Sequence, residues 1–246
     1  MKRLFLLGSL VLLLLSGCAG NGEAGDGFLS HVFVDPFTFL IETTASIFAG
    51  SYGVAIILIT LLIRLVLLPF MMKQYKNQRE MKEKMTGMQP ELEKIQAKMK
   101  KTDEREKQME LQQEMMALYR KHGVNPLSAG CLPLLVQMPI LMGFYFAIQS
   151  SQEIAVHSFL WFSLGSVDIP LAMIAGAIYF LQFRVQQKLM PVDPANNNPM
   201  VRWMGLISPL MILVISFTMP AAIPLYWTAG GLFLTGQSWL MHKLAK

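Results

Sequence analysis

The chain has 246 residues, 53% of them hydrophobic and only 15% charged, with mean hydropathy +0.43 and net charge +5. A soluble domain carries nearer a quarter charged residues, so this composition excludes one and points to a polytopic membrane protein. Two cysteines exclude a disulfide framework, and neither has metal-ligand neighbours.

The chain opens as a processing signal. Lys2 and Arg3 precede an apolar run from residue 4 to 15, followed by Ser16, Gly17 and Cys18. Leucine, two small residues and cysteine form the pattern of a bacterial lipoprotein signal. Residues 1–17 are then removed, and the Cys18 thiol carries a diacylglycerol and becomes the first residue, with palmitate as a further expected acyl group. An ordinary signal peptide or an uncleaved helix is the alternative, although twelve apolar residues are few for a span. Residues 18–51 form the lipidated N-terminal segment. Within it, residues 28–50 cluster apolar side chains around Asp35 and Glu42, which predicts an amphipathic helix on the outer membrane surface. A loose extracellular loop is the other reading.

Five apolar spans follow, at 52–72, 129–149, 169–183, 203–219 and 221–241. Lysine and arginine set their orientation. Residues 73–128 hold thirteen of them, and the third connection holds Arg184, Lys188 and Arg202. The tail adds Lys243 and Lys246, while residues 149–170 and the Pro220 turn hold none. The alternation places the N-terminus outside and the C-terminus in the cytoplasm of a bacterial plasma membrane. It also accounts for the net charge as membrane topology rather than nucleic-acid affinity. Spans three and four are short, roughly 22 and 25 Å against a hydrocarbon core of about 30 Å. Either the bilayer thins there, or the third helix runs on through Gln182, Arg184 and Gln186.

One basic residue escapes the alternation. Arg64 stands inside the first span, roughly 13 Å in from Lys73. A cation at that depth costs about 3 kcal/mol on insertion scales. No Asp or Glu lies in any span, so a resident partner is not evident. Gln137, Gln182 and Gln237 fall at similar depth, and Thr60 lies one turn from Arg64 on the same face. Each glutamine alone reads as a helix-to-helix hydrogen bond. Three beside an unpaired arginine predict a wet recess open to the cytoplasm. Pro69, Pro133, Pro139, Pro209 and Pro224 free backbone carbonyls in the spans and fit splayed helices. Trp203 reads as an interface anchor, and Trp227 and Trp239 either line the recess or sit in an interfacial belt.

Residues 73–128 are charged and helical in pattern. Met81, Met85, Met88, Leu92, Ile95 and Met99 alternate spacings of four and three. The pattern breaks at Lys100 to Asp103, with Thr102 as the expected N-cap of a second helix that Gly123 ends. Pro90 predicts a kink or restart in the first helix. The product is an antiparallel cytoplasmic hairpin whose methionine seam joins the two helices, with partner docking as a second role.

The stretch GVNPLSAGCLPLLVQMPI, residues 123–140, resembles the YidC-type membrane protein insertase family in its Gram-positive lipoprotein form. The arginine of the first span, the charged hairpin and the PLYW of residues 224–227 add to that likeness, which covers nearly everything from residue 28 onward. The resemblance implies an all-α membrane protein with five transmembrane helices over residues 52–246. It implies a protein that inserts nascent membrane proteins into the lipid bilayer and helps them fold, alone or with the Sec translocon, without cofactor or nucleotide hydrolysis. The family's groove arginine falls on Arg64, its polar positions on Gln137 and Gln182, and its aromatic wall on Trp227 or Trp239. The short basic tail lacks the long ribosome-binding extension of some members, which puts strong attachment to a ribosome in doubt.

Two other classes stay open on the residues alone. A small-anion transporter or channel would also use an intramembrane arginine, though no internal repeat appears. A structural lipoprotein scaffold is the third. Enzyme chemistry has little support: the four histidines are scattered, and no P-loop, zinc motif or triad spacing is present.

Overall fold

The computed structural model describes residues 34–102, 104–124, 132–189 and 199–244. The signal, Cys18, Cys131 and residues 125–131 of the family-like stretch lie outside the described residues, as do the side chains of Pro133 and Trp203. The chain is helical almost throughout. In order, the elements are α1 (Asp35–Ile47), α2 (Tyr52–Val66), α3 (Leu68–Lys100), α4 (Arg105–Lys121), α5 (Leu132–Ser150), α6 (Gln152–Val156), β1 (Ser158–Phe159), β2 (Phe162–Ser163), α7 (Ile169–Leu189), α8 (Pro199–Ser216) and α9 (Ala222–Leu244).

Helix α1 lies within residues 28–50, the stretch read as an amphipathic helix, of which residues 28–33 lie outside the described residues. Ile41 and Ala45 are buried, Phe39 and Ile47 are exposed, and the helix packs on α2 and α5. It meets α2 at 120°. Gly50, at φ +82°, makes that turn possible, and its N–H closes onto the Ala45 carbonyl at 2.8 Å.

The first span is not one unbroken helix. α2 ends at Val66 and α3 begins at Leu68, with Pro69 in its first turn. Proline lacks the N–H that would bond the Leu65 carbonyl, so the ladder is interrupted there. The third helix is longer than its apolar stretch. α7 has 21 residues and takes in Gln182, Arg184 and Gln186. Arg184 lies 5.9 Å from the Phe180 ring centre, one turn back, which favours continuing the helix past the apolar boundary. At roughly 31 Å, α7 removes the length argument for a thinned bilayer at this span. Among the described residues it is the one helix that alone is long and apolar enough to cross a bilayer.

A two-stranded antiparallel sheet departs from the all-helical expectation. Ser158 pairs with Ser163 and Phe159 with Phe162. The core joins α1, α2, α5, α7 and α9 around Ile41, Ile56, Phe144, Ile148, Leu171 and Tyr226. α9 packs on both α7 and α2, and α8 packs on α7.

Helices α3 and α4 pack on each other around Met88, Leu92, Ile95, Leu118 and Val124, with Met81, Met85 and Met99 beside them. The expected seam is therefore the shared core. Met109 and Met116 of α4 face outward. Thr102 is not the N-cap: Glu104 takes that place, and the Thr102 carbonyl accepts from Gln108 Nε2 at 2.9 Å. Nor does Pro90 restart α3, which continues through it to Lys100. Met88 is fully buried, so Met88→Ala should cost the pair about 2–5 kcal/mol. Hydrogen exchange should show this as faster exchange confined to α3 and α4.

Candidate functional site

The site forms where α2, α5 and α9 meet. Arg64 lies in the last turn of α2, and only 4% of its surface is exposed. Its Nη2 donates to Gln137 Oε1 at 3.3 Å. Gln137 in turn donates through Nε2 to the Tyr226 hydroxyl. The amide is thus oriented from both ends, with its carbonyl given to the cation and its NH2 to the phenol.

The third side is backbone. A Cβ placed on Gly230 would come within 3.1 Å of Arg64 Nη2, 3.4 Å of Nε and 3.6 Å of Thr60 Cγ2. The absent side chain at Gly230 is what lets the guanidinium lie against α9. Thr60 gives its hydroxyl to the Ile56 carbonyl on its own helix at 2.6 Å and turns its methyl toward Gly230. It therefore supplies shape rather than a polar contact. Tyr179 lies beside this contact, its ring 3.2 Å from where a Cβ on Gly231 would stand. The Tyr226 ring packs tilted against Phe144, and Phe144 against Phe37, each pair with ring centres 4.9 Å apart.

Among the described residues no carboxylate pairs with Arg64. The open recess expected from the sequence is not what the described residues show, because the chain's own side chains and the Gly230 backbone enclose the guanidinium. A buried cation whose one hydrogen-bond partner is neutral carries an unrecovered desolvation cost, which a carboxylate would offset.

The other expected residues are placed differently. Gln182 is half-buried on α7 and makes no hydrogen bond to Arg64. Trp227 is buried in the apolar core, next to Tyr226 in sequence. Trp239 is 52% exposed, with Lys243 Nζ 4.0 Å from its ring centre, and lies roughly 13 Å along α9 from Gly230. Gln237 is buried two turns beyond Gly230 on the same face, its Oε1 without a partner among the described residues. Tyr226, Tyr179 and Gly230 were not anticipated. The available signal was Tyr226 and Gly230 four residues apart on one helix face, Tyr226 lying within the PLYW stretch. Among the described residues no cluster of metal-ligating side chains occurs.

The model of the family described as 60Kd inner membrane protein matches residues 44–246. Membrane protein insertase YidC 2 of Listeria monocytogenes serotype 4b (strain F2365) is 47% identical over 246 residues, covering 99% of this chain and 88% of that protein. Membrane protein insertase MisCB of Bacillus subtilis (strain 168) is 44% identical over 262 residues, covering 100% and 95%. A solved structure of an active YidC insertase with its first transmembrane domain resolved superposes with TM-score 0.60 at 27% identity. That match covers 86% of this chain and 46% of the solved one, so the chain spans about half of that structure. The family match over residues 44–246 and relatives close to half identical over nearly the whole chain show that this chain belongs to the 60Kd inner membrane protein family, in which those relatives are membrane protein insertases.

Proposed function

We propose that this insertase of the plasma membrane draws the hydrophilic segment of a nascent membrane protein to Arg64 and releases the client's apolar helix sideways into lipid. The observation that carries the reading is a buried guanidinium whose hydrogen-bond partner among the described residues is a neutral amide and not a carboxylate. A client carboxylate is the partner this cation lacks. Gln137 is the group to exchange, because its 3.3 Å bond to Arg64 is long for a charge-assisted one. Opening α5 away from α2 and α9 would turn the enclosed site into a groove facing the cytoplasm. The client then crosses a shortened barrier, and partitioning of its apolar helix supplies the driving force.

The proposal takes five spans, with the N-terminus outside, the C-terminus inside and the α3–α4 pair in the cytoplasm. The alternation of basic residues along the chain supports it. Cys18 is the proposed lipid anchor, on its position after Leu15, Ser16 and Gly17. Nascent membrane proteins and the bilayer are the partners, with the Sec translocon and the ribosome as further proposed ones. No cofactor is invoked.

A photocrosslinking residue at position 137 tests the reading in membranes supplied with stalled nascent chains. Crosslinks to the hydrophilic leader of a single-span client are expected. Crosslinks to lipid alone, at every chain length, would contradict it.

A further inference from the structure

Residues 158–163, SFLWFS, close the connection between α6 and α7 as the β1–β2 hairpin. Its base is held firmly. The Phe159 ring fills the space over Gly53 at the start of α2, so closely that a Cβ there would overlap the ring. Phe162 is buried, and its ring centre lies 5.9 Å from that of Phe159. The following loop bonds to the start of α9, with Ala221 N–H on Ser166 O at 2.7 Å and Ala222 N–H on Leu164 O at 3.0 Å.

The tip is the opposite. Leu160 is 73% exposed and Trp161 57% exposed, and Val156 and Ile169 beside them are exposed as well. Leu160 also sits at φ +54°, a conformation that glycine or asparagine adopts more easily. Leucine at this position gains nothing in water, where its side chain is left uncovered. Trp161 turns its indole N–H to Asp168 Oδ1 at 3.4 Å, while the same oxygen caps α7 by accepting from Leu171 N–H at 2.7 Å. Its apolar ring is therefore presented outward at the first turn of α7, a helix long and apolar enough to cross a bilayer. Ile169, Met173 and Ile174 continue the exposed apolar surface down α7.

We infer that the β1–β2 tip is a lipid anchor, with Leu160 and Trp161 embedded in the interfacial region of the leaflet at the end of the bundle remote from the α3–α4 pair. An amphipathic tryptophan suits that region. Residues 149–170 hold no lysine or arginine, so headgroup charge is not the attraction, and neutral phosphatidylcholine suffices. The base grips Gly53, eleven residues before Arg64, so the anchor sets the guanidinium roughly 16 Å below the interface. The inference rests on the membrane placement of α7 proposed above.

The test uses the full chain in phosphatidylcholine vesicles, comparing wild type with Trp161→Phe; the difference in emission belongs to Trp161. Lipid brominated in the upper acyl chain should quench that difference at least twofold, and aqueous acrylamide should barely affect it. Added anionic lipid or salt should leave the pattern unchanged. Quenching by acrylamide and not by bromine would overturn the anchor, and so would quenching by neither, the result of a protein partner covering the tip. Client crosslinking from position 137 reads the insertase mechanism separately, so either idea can fail alone.

Discussion

Arg64→Ala should cut insertion of a single-span client with an acidic leader at least about tenfold, which corresponds to about 1.4 kcal/mol of lost transition-state or binding stabilisation. The attraction available is larger. A carboxylate 4 Å from a guanidinium at an effective dielectric of 20 gains about 4 kcal/mol, and some of it is spent on displacing Gln137. Arg64→Lys keeps the charge at the same turn of α2 and should keep most of the insertion. The folded protein gives the control. Arg64 is almost enclosed and has no carboxylate partner among the described residues, so alanine removes a buried, poorly compensated cation. The melting temperature in detergent should therefore hold or rise while insertion falls. Liposome insertion assays beside thermal unfolding separate the two. A parallel fall in both would mean that Arg64 holds the bundle together instead.

Gly230→Leu should be nearly as damaging, without touching any charge. Its Cβ alone would stand 3.1 Å from Nη2, and the rest of a leucine has to displace the guanidinium or push α9 from α2. Overpacking of this kind costs about 1–3 kcal/mol, and here it falls on the geometry that presents the cation. Gly236, on the same helix, is the matched control, since nothing lies within 4 Å of its Cβ position. Gly236→Leu should insert clients normally. Equal activity of the two leucine variants would show that close contact between α9 and Arg64 is dispensable.

The sequence made Arg64 and Gln137 conspicuous because a charge and an amide are expensive in apolar runs. Their hydrogen bond is where that expense is partly recovered. Tyr226 was harder to see. An aromatic residue in a span reads equally well as packing or interface, and attention falls on Trp227 beside it, although one residue turns a helix by about 100°. Gly230 was invisible for a related reason: its role is the absence of a side chain, which acquires meaning only when α2 lies against it. The place of Gln182 along its helix could be read from the sequence but its direction around the axis could not, and among the described residues it makes no hydrogen bond to Arg64.

The helices themselves were largely readable from apolar runs and the Met88–Leu92–Ile95 periodicity. Their ends were not. α7 passes its apolar boundary because Gln182, Arg184 and Gln186 remain compatible with a helix. The β1–β2 hairpin escaped notice because two-residue strands leave no periodic trace, and the contact of Phe159 with Gly53 joins residues far apart in the chain.

The central claim is that the Arg64 charge engages a client carboxylate, and a double-mutant cycle across the two molecules tests it most directly. Insertion is measured for wild type and Arg64→Ala, each with a client whose leader carries aspartate and with the same client carrying asparagine. Neutralising the leader should slow insertion by wild type and leave Arg64→Ala unaffected, a coupling of about 1 kcal/mol or more. Equal dependence on leader charge in both proteins would contradict the account.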